Sequence, residues 1–219
     1  MSRLGAVTIG QSPRTDIVPE LRTVLGPEVE ILEAGALDGL SAEAIRALAP
    51  EHGETVLVSR LRDGTPVRLA HDRLLPLLER QVAELAPTVD AVLLLCTGSF
   101  HPFSVGRPVL YPEHLLLAFA RAVFPGHIGV ITPDHAQIEE QQERWGKVAR
   151  QVTVAACSPY AAASELPSVG VRLAEAGAEC IVLDSLGYSL EMKQEVRRSA
   201  GRPVLLPRTI LARAAAELL

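Results

Sequence analysis

Asp90-Ala-Val-Leu-Leu-Leu-Cys96-Thr-Gly98 and Glu179-Cys-Ile-Val-Leu-Asp-Ser185-Leu-Gly187 align without a gap. In each, an acidic residue leads into an apolar run of buried-strand length, and the run ends abruptly in small and polar residues. The second copy has Ser185 where the first has Cys96. A second pair follows in the same order: Gly106-Arg-Pro-Val-Leu-Tyr-Pro112 returns as Gly201-Arg-Pro-Val-Leu-Leu-Pro207. Apolar runs of parallel strands resemble one another, so the first pair alone decides little. The glycine, arginine and prolines of the second pair are not demanded by a strand. Together the pairs describe an internal duplication.

The flanking sequence supplies the elements of two α/β lobes. Leu4 to Ile9 reads as a strand followed by the loop Gly10-Gln-Ser-Pro-Arg14. Asp16 is the expected N-cap of a helix to Leu25, with Pro19 in its first turn. Val29–Glu33 reads as a strand, and Ser41 caps a short helix. Thr55–Leu61 and Thr65–Ala70 are β-rich and joined through Arg62-Asp-Gly64, a hairpin signal. An amphipathic helix from Arg73 to Leu85 then feeds the strand ending at Cys96, and Gly106–Leu110 and His114–Val123 read as strand and helix. From Gly126 the pattern restarts. Strands are expected at 128–132, 152–156 and 180–184, with a long polar helix opening at Pro133-Asp134 and others over 165–176, 191–199 and 209–218.

Strands alternating with helices argue a mostly parallel sheet flanked by helices in each half. The expected architecture is α/β with two pseudo-symmetric lobes, 1–113 and 114–207, a β-hairpin insertion at about 54–70, and a terminal helix at 208–219 packing back on the first lobe.

Bulk properties narrow the function. The 219 residues are 48% apolar and 21% charged, which suits an ordinary globular protein. A net charge of −5 with no basic cluster argues against a nucleic-acid partner, as does an aromatic content of 4%. No apolar run reaches membrane-spanning length and no signal peptide is evident. Three cysteines without CxxC spacing fit a reducing compartment, so a cytoplasmic location is expected.

In open parallel sheets ligands bind beyond the carboxyl ends of the strands. Four loops lie there: 10–14, 96–100, 132–134 and 184–189. In a two-lobed duplication, equivalent loops can face one another across a cleft. Backbone N–H groups at such loops favour a carboxylate or phosphate, and Ser12, Thr97, Ser99 and Thr132 add hydroxyls. Arg14 offers a bidentate partner for an anion. A thiol in that field is expected to be more acidic than its free value of about 8.5 and to act as a base at carbon or as a nucleophile. Cys96 is that thiol; Cys157 is more weakly placed and Cys180 reads as core.

Thr8-Ile-Gly-Gln-Ser-Pro-Arg14, Leu95-Cys-Thr-Gly-Ser99 and Leu183-Asp-Ser-Leu-Gly-Tyr188 carry a resemblance to the AroM family, and through it to the aspartate/glutamate racemase-like superfamily. The resemblance spans nearly the whole chain. It implies two lobes with the ligand between them and neither a metal nor an organic cofactor. In two-thiol members of the superfamily one cysteine of each lobe flanks the substrate α-carbon; one removes a proton and the other delivers one to the opposite face. Here Cys96 matches the first thiol and Ser185 occupies the second position. An unassisted hydroxyl is too weak an acid to replace a thiolate base.

The expected function is therefore a one-sided, cofactor-independent isomerase or lyase acting on a small carboxylate or dicarboxylate. Cys96 is the acid/base or nucleophile, with Ser185 and Asp184 beside it. Gln11, Ser12, Arg14, Thr97, Gly98, Ser99, Thr132, Gly187 and Tyr188 complete the substrate-binding set. The alternative is a small-anion binding protein without catalysis. Self-association into a homo-oligomer is left open. The loop after Gly10 is not a phosphate-binding Walker loop, and the six histidines have no ligand spacing, although His101 is near the thiol in sequence. Glu139, Glu140, Glu143 and Arg144 read as a solvated helix face, and Trp145 as a packing anchor or subunit contact.

Overall fold

The duplication in the sequence is a duplication of sheets. A computed structural model describes residues 2–160 and 165–219. In chain order the elements are β1 (Arg3–Thr8), α1 (Val18–Leu25), β2 (Glu30–Gly35), α2 (Ala42–Arg46), β3 (Val56–Arg60), β4 (Pro66–Ala70), α3 (His71–Leu85), β5 (Ala91–Leu95), β6 (Val109–Leu110) and α4 (Pro112–Val123). There follow β7 (His127–Thr132), α5 (Ile138–Gly146), β8 (Gln151–Ala156), α6 (Leu166–Glu175), β9 (Cys180–Leu183), α7 (Leu190–Ala200), β10 (Val204–Leu205) and α8 (Pro207–Ala216). The chain divides into two units, Met1–Pro112 with Leu211–Leu219, and Glu113–Ile210.

The first unit carries the sheet β2-β1-β5-β6 and the second β8-β7-β9-β10. Every neighbouring pair in both sheets is parallel. The registers coincide as well. Val92 lies opposite Val109 and Leu93 opposite Leu110, while Ile181 lies opposite Val204 and Val182 opposite Leu205. The GRPVL repeat is thus the edge strand that pairs with each thiol- or serine-bearing strand, and the two repeated segments are two neighbouring strands of one design. The fold class is α/β, as the alternation of patterns implied.

Central parallel strands are covered on both faces, so they read as continuous apolar runs. Every residue of β5, β7 and β9 is buried. In the first unit Val92, Leu94 and Cys96 share one face with Leu74, Leu78 and Val82 of α3, which recur every four residues along a single stripe. In β9 the faces separate cleanly. Cys180 and Val182 pack with Trp145 and Val130, whereas Ile181 and Leu183 pack with Val169, Leu173 and Val196.

β3 and β4 form the antiparallel hairpin, Val56 opposite Ala70, closed at Gly64 with φ +94. Leu57 and Leu69 enter the first core, so the insertion is packed rather than appended.

Several local expectations are corrected. Asp16 does not cap α1; the N-cap is Ile17 without a side-chain bond, and Asp16 is drawn instead into an ion pair with Arg14. Asp134 opens a 3-10 turn, His135–Gln137, before α5 begins. Its carboxylate and the Gln137 side chain form a reciprocal capping box there. Gly106–Leu110 supplies only two strand residues, because Gly106 at φ +68 and Pro108 keep its beginning out of the ladder.

Candidate functional site

At the end of β1, Thr8 Oγ1 accepts the Gly10 N–H at 3.1 Å and a hydrogen bond from Arg14 Nη1 at 2.9 Å. The Arg14 guanidinium is buried and forks onto Asp16: Nε and Nη2 each donate to one carboxylate oxygen at 2.8 Å. Burial by itself would raise the Asp16 carboxyl, but the hydrogen bond and charge of Arg14, helped by Arg60, hold it below its ordinary value. The bidentate partner that Arg14 was expected to offer a ligand is occupied within the chain.

The rest of this loop is equally engaged. The Ser12 N–H donates to Asp38 Oδ1 at 2.9 Å and the Ser12 hydroxyl donates to Asp38 Oδ2. The Arg62 N–H donates to Gln11 Oε1 at 3.0 Å, and Arg62 Nε donates to the Ser12 carbonyl at 2.6 Å. The Ser12–Pro13 peptide is cis. A Cβ on Gly10 would stand 2.4 Å from the Arg60 carbonyl, and one on Gly35 would stand 2.6 Å from the Gly10 carbonyl. Glycine is therefore required at both positions by close backbone approach. The hairpin and the turn after β2 brace this loop, and neither Asp38 nor Arg62 stood out in the sequence. Arg62-Asp-Gly64 reads as a turn, and nothing in a turn signal says what its arginine will reach.

β5 delivers Cys96 directly beyond its last residue. The thiol is 9% exposed, and its sulfur accepts the Gly98 N–H at 3.2 Å. Thr97 is buried and Ser99 exposed. A Cβ on Gly98 would meet Leu57 Cδ2 at 2.8 Å and the Phe100 ring at 3.2 Å. Behind the loop runs a chain of rings. His71 stacks on Phe100 with centroids 5.2 Å apart, Phe100 meets Phe103 at 6.3 Å, and Phe103 meets Tyr111 at 5.9 Å. His101, the histidine nearest the thiol in sequence, turns away: its Nε2 lies 2.9 Å from Glu79.

The second unit repeats the turn with oxygen in place of sulfur. Ser185 Oγ accepts the Gly187 N–H at 3.1 Å. Asp184 continues the parity of Cys180 and Val182, and its Oδ2 accepts the Trp145 Nε1–H at 2.9 Å. Trp145 is fully buried, so it anchors packing. Arg144 also departs from expectation: its side chain is 10% exposed and pairs with Glu113 at 3.3 Å and with Glu140. Burial alone would lower the Arg144 guanidinium, but Asp184, Glu113 and Glu140 raise it above its ordinary value. The solvated face is confined to residues such as Glu139 and Glu143.

Thr132 is fully buried and donates its hydroxyl to Gln137 Oε1 at 2.8 Å. Tyr188 is also fully buried; its hydroxyl donates to the Cys157 carbonyl at 2.5 Å, and burial raises its phenol well above the ordinary value. A Cβ on Gly187 would be 2.7 Å from the Tyr160 hydroxyl. Arg208, buried at the start of α8, donates from Nε and Nη2 to the Leu186 carbonyl at 3.1 and 2.5 Å. Burial pushes the Cys157 thiol up, and Cys180 up to about 12.

The structure thus brings Thr97, Gly98 and Ser99 together with Cys96, and Asp184 and Gly187 together with Ser185 along the chain. It holds Gln11, Ser12 and Arg14 in a braced loop after β1, the strand beside β5, and buries Thr132 and Tyr188. Among the described residues no group of three or more His, Cys, Asp and Glu side chains is placed to hold a metal ion, and no helix is long and apolar enough to cross a membrane.

A pair of parallel sheets with matched registers and polar strand ends is the racemase-like α/β fold, and solved structures of that fold superpose on this chain. Arylmalonate decarboxylase is similar with a TM-score of 0.63 at 16% identity, covering 99% of this chain and 91% of its own. Allantoin racemase from Klebsiella pneumoniae gives 0.63 at 15% identity, covering 100% and 87%, and maleate isomerase from Pseudomonas putida S16 gives 0.62 at 15%, covering 99% and 92%. At the level of sequence, residues 4–219 match the family described as AroM protein, and the chain belongs to that family. No curated protein matches the sequence significantly.

Proposed function

We propose that this protein is a racemase-like enzyme acting on a small carboxylate without an organic cofactor or metal, with Cys96 as a one-sided acid/base or nucleophile. One observation carries the reading: the Cys96 sulfur ends a buried parallel strand and receives the Gly98 N–H at 3.2 Å. A backbone donor aimed at sulfur stabilises negative charge there, which is what a thiolate base or nucleophile requires. The similarity in fold to an arylmalonate decarboxylase and a maleate isomerase, both named for carboxylates, and to an allantoin racemase supports this reading.

Ser185 argues that the reaction is not a symmetric two-base racemisation. Its oxygen accepts the Gly187 N–H in the equivalent turn of the second unit, but a hydroxyl of ordinary acidity does not abstract a carbon-bound proton. Asp184 is held by Trp145 on the opposite face of its strand and is better suited to fixing that strand end than to proton transfer. The substrate carboxylate is assigned to the N–H and hydroxyl groups of Thr97 and Ser99, since the Gly98 N–H is engaged by the Cys96 sulfur, while Gln11, Ser12 and Arg14 shape the neighbouring loop rather than supply a free cation.

The test is α-proton exchange of small mono- and dicarboxylic acids in heavy water, followed by proton NMR, together with loss of CO2 from malonate-type acids. At least one acid is expected to exchange or decarboxylate with the wild type and not with Cys96→Ala. Turnover that survives Cys96→Ala sinks the assignment. Saturable binding of dicarboxylates with no turnover of any acid favours the alternative, a small-anion binding protein.

A further inference from the structure

Cys96 is not held by its own strand alone. The loop that carries it is gripped by a side chain 28 residues earlier: His71 Nε2 lies 2.9 Å from the Ser99 carbonyl oxygen. A carbonyl only accepts, so this nitrogen carries a proton and donates it. The same ring stacks on Phe100, 5.2 Å between centroids and 21° from parallel. His71 therefore holds the Ser99–Phe100 peptide by its oxygen and the next side chain by its face. Its other nitrogen, Nδ1, lies 2.8 Å from Asp72 Oδ1.

A histidine that merely began α3 would need only the contact with Asp72, its chain neighbour. The Nε2 bond reaches across to the loop and serves nothing in the helix. The other unit has a comparable grip made differently, with Arg208 donating to the Leu186 carbonyl. In both units a side-chain N–H holds a carbonyl of the turn that follows the strand.

We propose that His71 is the positioning residue of the reactive thiol: its Nε2–H bond to the Ser99 carbonyl fixes the loop so that the Gly98 N–H stays on the Cys96 sulfur. This rests on the reading of Cys96 as the reactive group. It assigns a role to a residue that nothing in the thiol motif announces.

Two substitutions separate the donor from the ring. His71→Gln keeps an amide N–H at about the place of Nε2 and loses the aromatic face. His71→Phe keeps the stack on Phe100 and loses the donor. The measurements are the second-order rate of iodoacetamide alkylation at Cys96, by peptide mapping, and hydrogen exchange of the Gly98 amide. We expect His71→Phe to slow alkylation at least fivefold and speed Gly98 exchange at least tenfold, and His71→Gln to stay within about twofold of wild type in both. Should His71→Phe not fold, His71→Asn, too short to reach the carbonyl, takes its place. Equal behaviour of the donor-keeping and donor-lacking variants, whether both like wild type or both impaired, overturns the proposal. If wild-type Cys96 reacts no faster than a free thiol, the enzyme reading fails, yet the Gly98 exchange rates still decide whether His71 positions the loop.

Discussion

Cys96 and Ser185 occupy one position of a repeated turn: the Cys96 sulfur accepts the Gly98 N–H at 3.2 Å and the Ser185 oxygen accepts the Gly187 N–H at 3.1 Å. The turn, and not the side chain, is what the duplication preserved. The second unit presents the same backbone donor to a hydroxyl.

This equivalence predicts the behaviour of Ser185→Cys. The new thiol would receive the Gly187 N–H as Cys96 receives that of Gly98. Its alkylation rate at pH 8 is expected to fall within about tenfold of the rate at Cys96, as followed by mass spectrometry of the labelled peptides. A thiol at 185 as inert as Cys180 would show that the shared turn does not confer reactivity.

The native thiols should separate sharply. Cys180 is pushed up to about 12, so at pH 8 about one molecule in ten thousand carries its thiolate. Cys157 is raised less, by burial and then by Glu165. Alkylation at pH 8 is expected in the order Cys96, Cys157, Cys180, with Cys180 unlabelled until the chain is unfolded. Labelling of Cys157 ahead of Cys96 would remove the case for a special thiol at the end of β5.

Arg14 and Asp16 set an acid limit on stability. The folded Asp16 carboxyl lies below its unfolded value of about 3.9, so its contribution is complete above that value and is lost as pH falls through the folded one. Asp16→Asn strands a buried guanidinium and is expected to cost about 3 kcal/mol at pH 7. The wild type should lose stability more steeply than the variant as pH falls below about 4. Urea midpoints at three pH values measure both effects.

Trp145→Phe removes the donor to Asp184 Oδ2 from a buried position. Leaving that oxygen without the indole N–H is expected to cost about 2 kcal/mol. Because Ser185 follows directly, exchange of the Gly187 amide should quicken as well. A stability change below about 0.5 kcal/mol would mean that Asp184 finds its support elsewhere.

Much of the fold was legible in the chain because parallel strands buried on both faces must be apolar throughout. The runs before Cys96 and Ser185 are such strands, and the GRPVL repeat proved to be the strand next to each. Boundaries were less legible where side chains found distant partners. Asp16 looked like a cap and became the partner of Arg14; Arg144 looked solvated and lies between Glu113 and Glu140. Each has a local reading that costs nothing in sequence space, and a tertiary contact that wins once burial strengthens the charge interaction.

The candidate site divides along the same line. That a thiol ends a strand in one half and a hydroxyl in the other is a matter of residue order, and the sequence by itself determined it. So did the glycine two positions on, which any alignment of the halves displays. The identity of the groups around them was decided by tertiary structure alone. His71 reaches Ser99 over 28 residues, Arg62 reaches Ser12 over 50, and Arg208 reaches Leu186 over 22. No periodicity encodes those reaches, because a hydrogen bond between side chain and backbone depends on where two loops are carried by their strands. The sequence placed the thiol at the strand end; the fold determined what surrounds it.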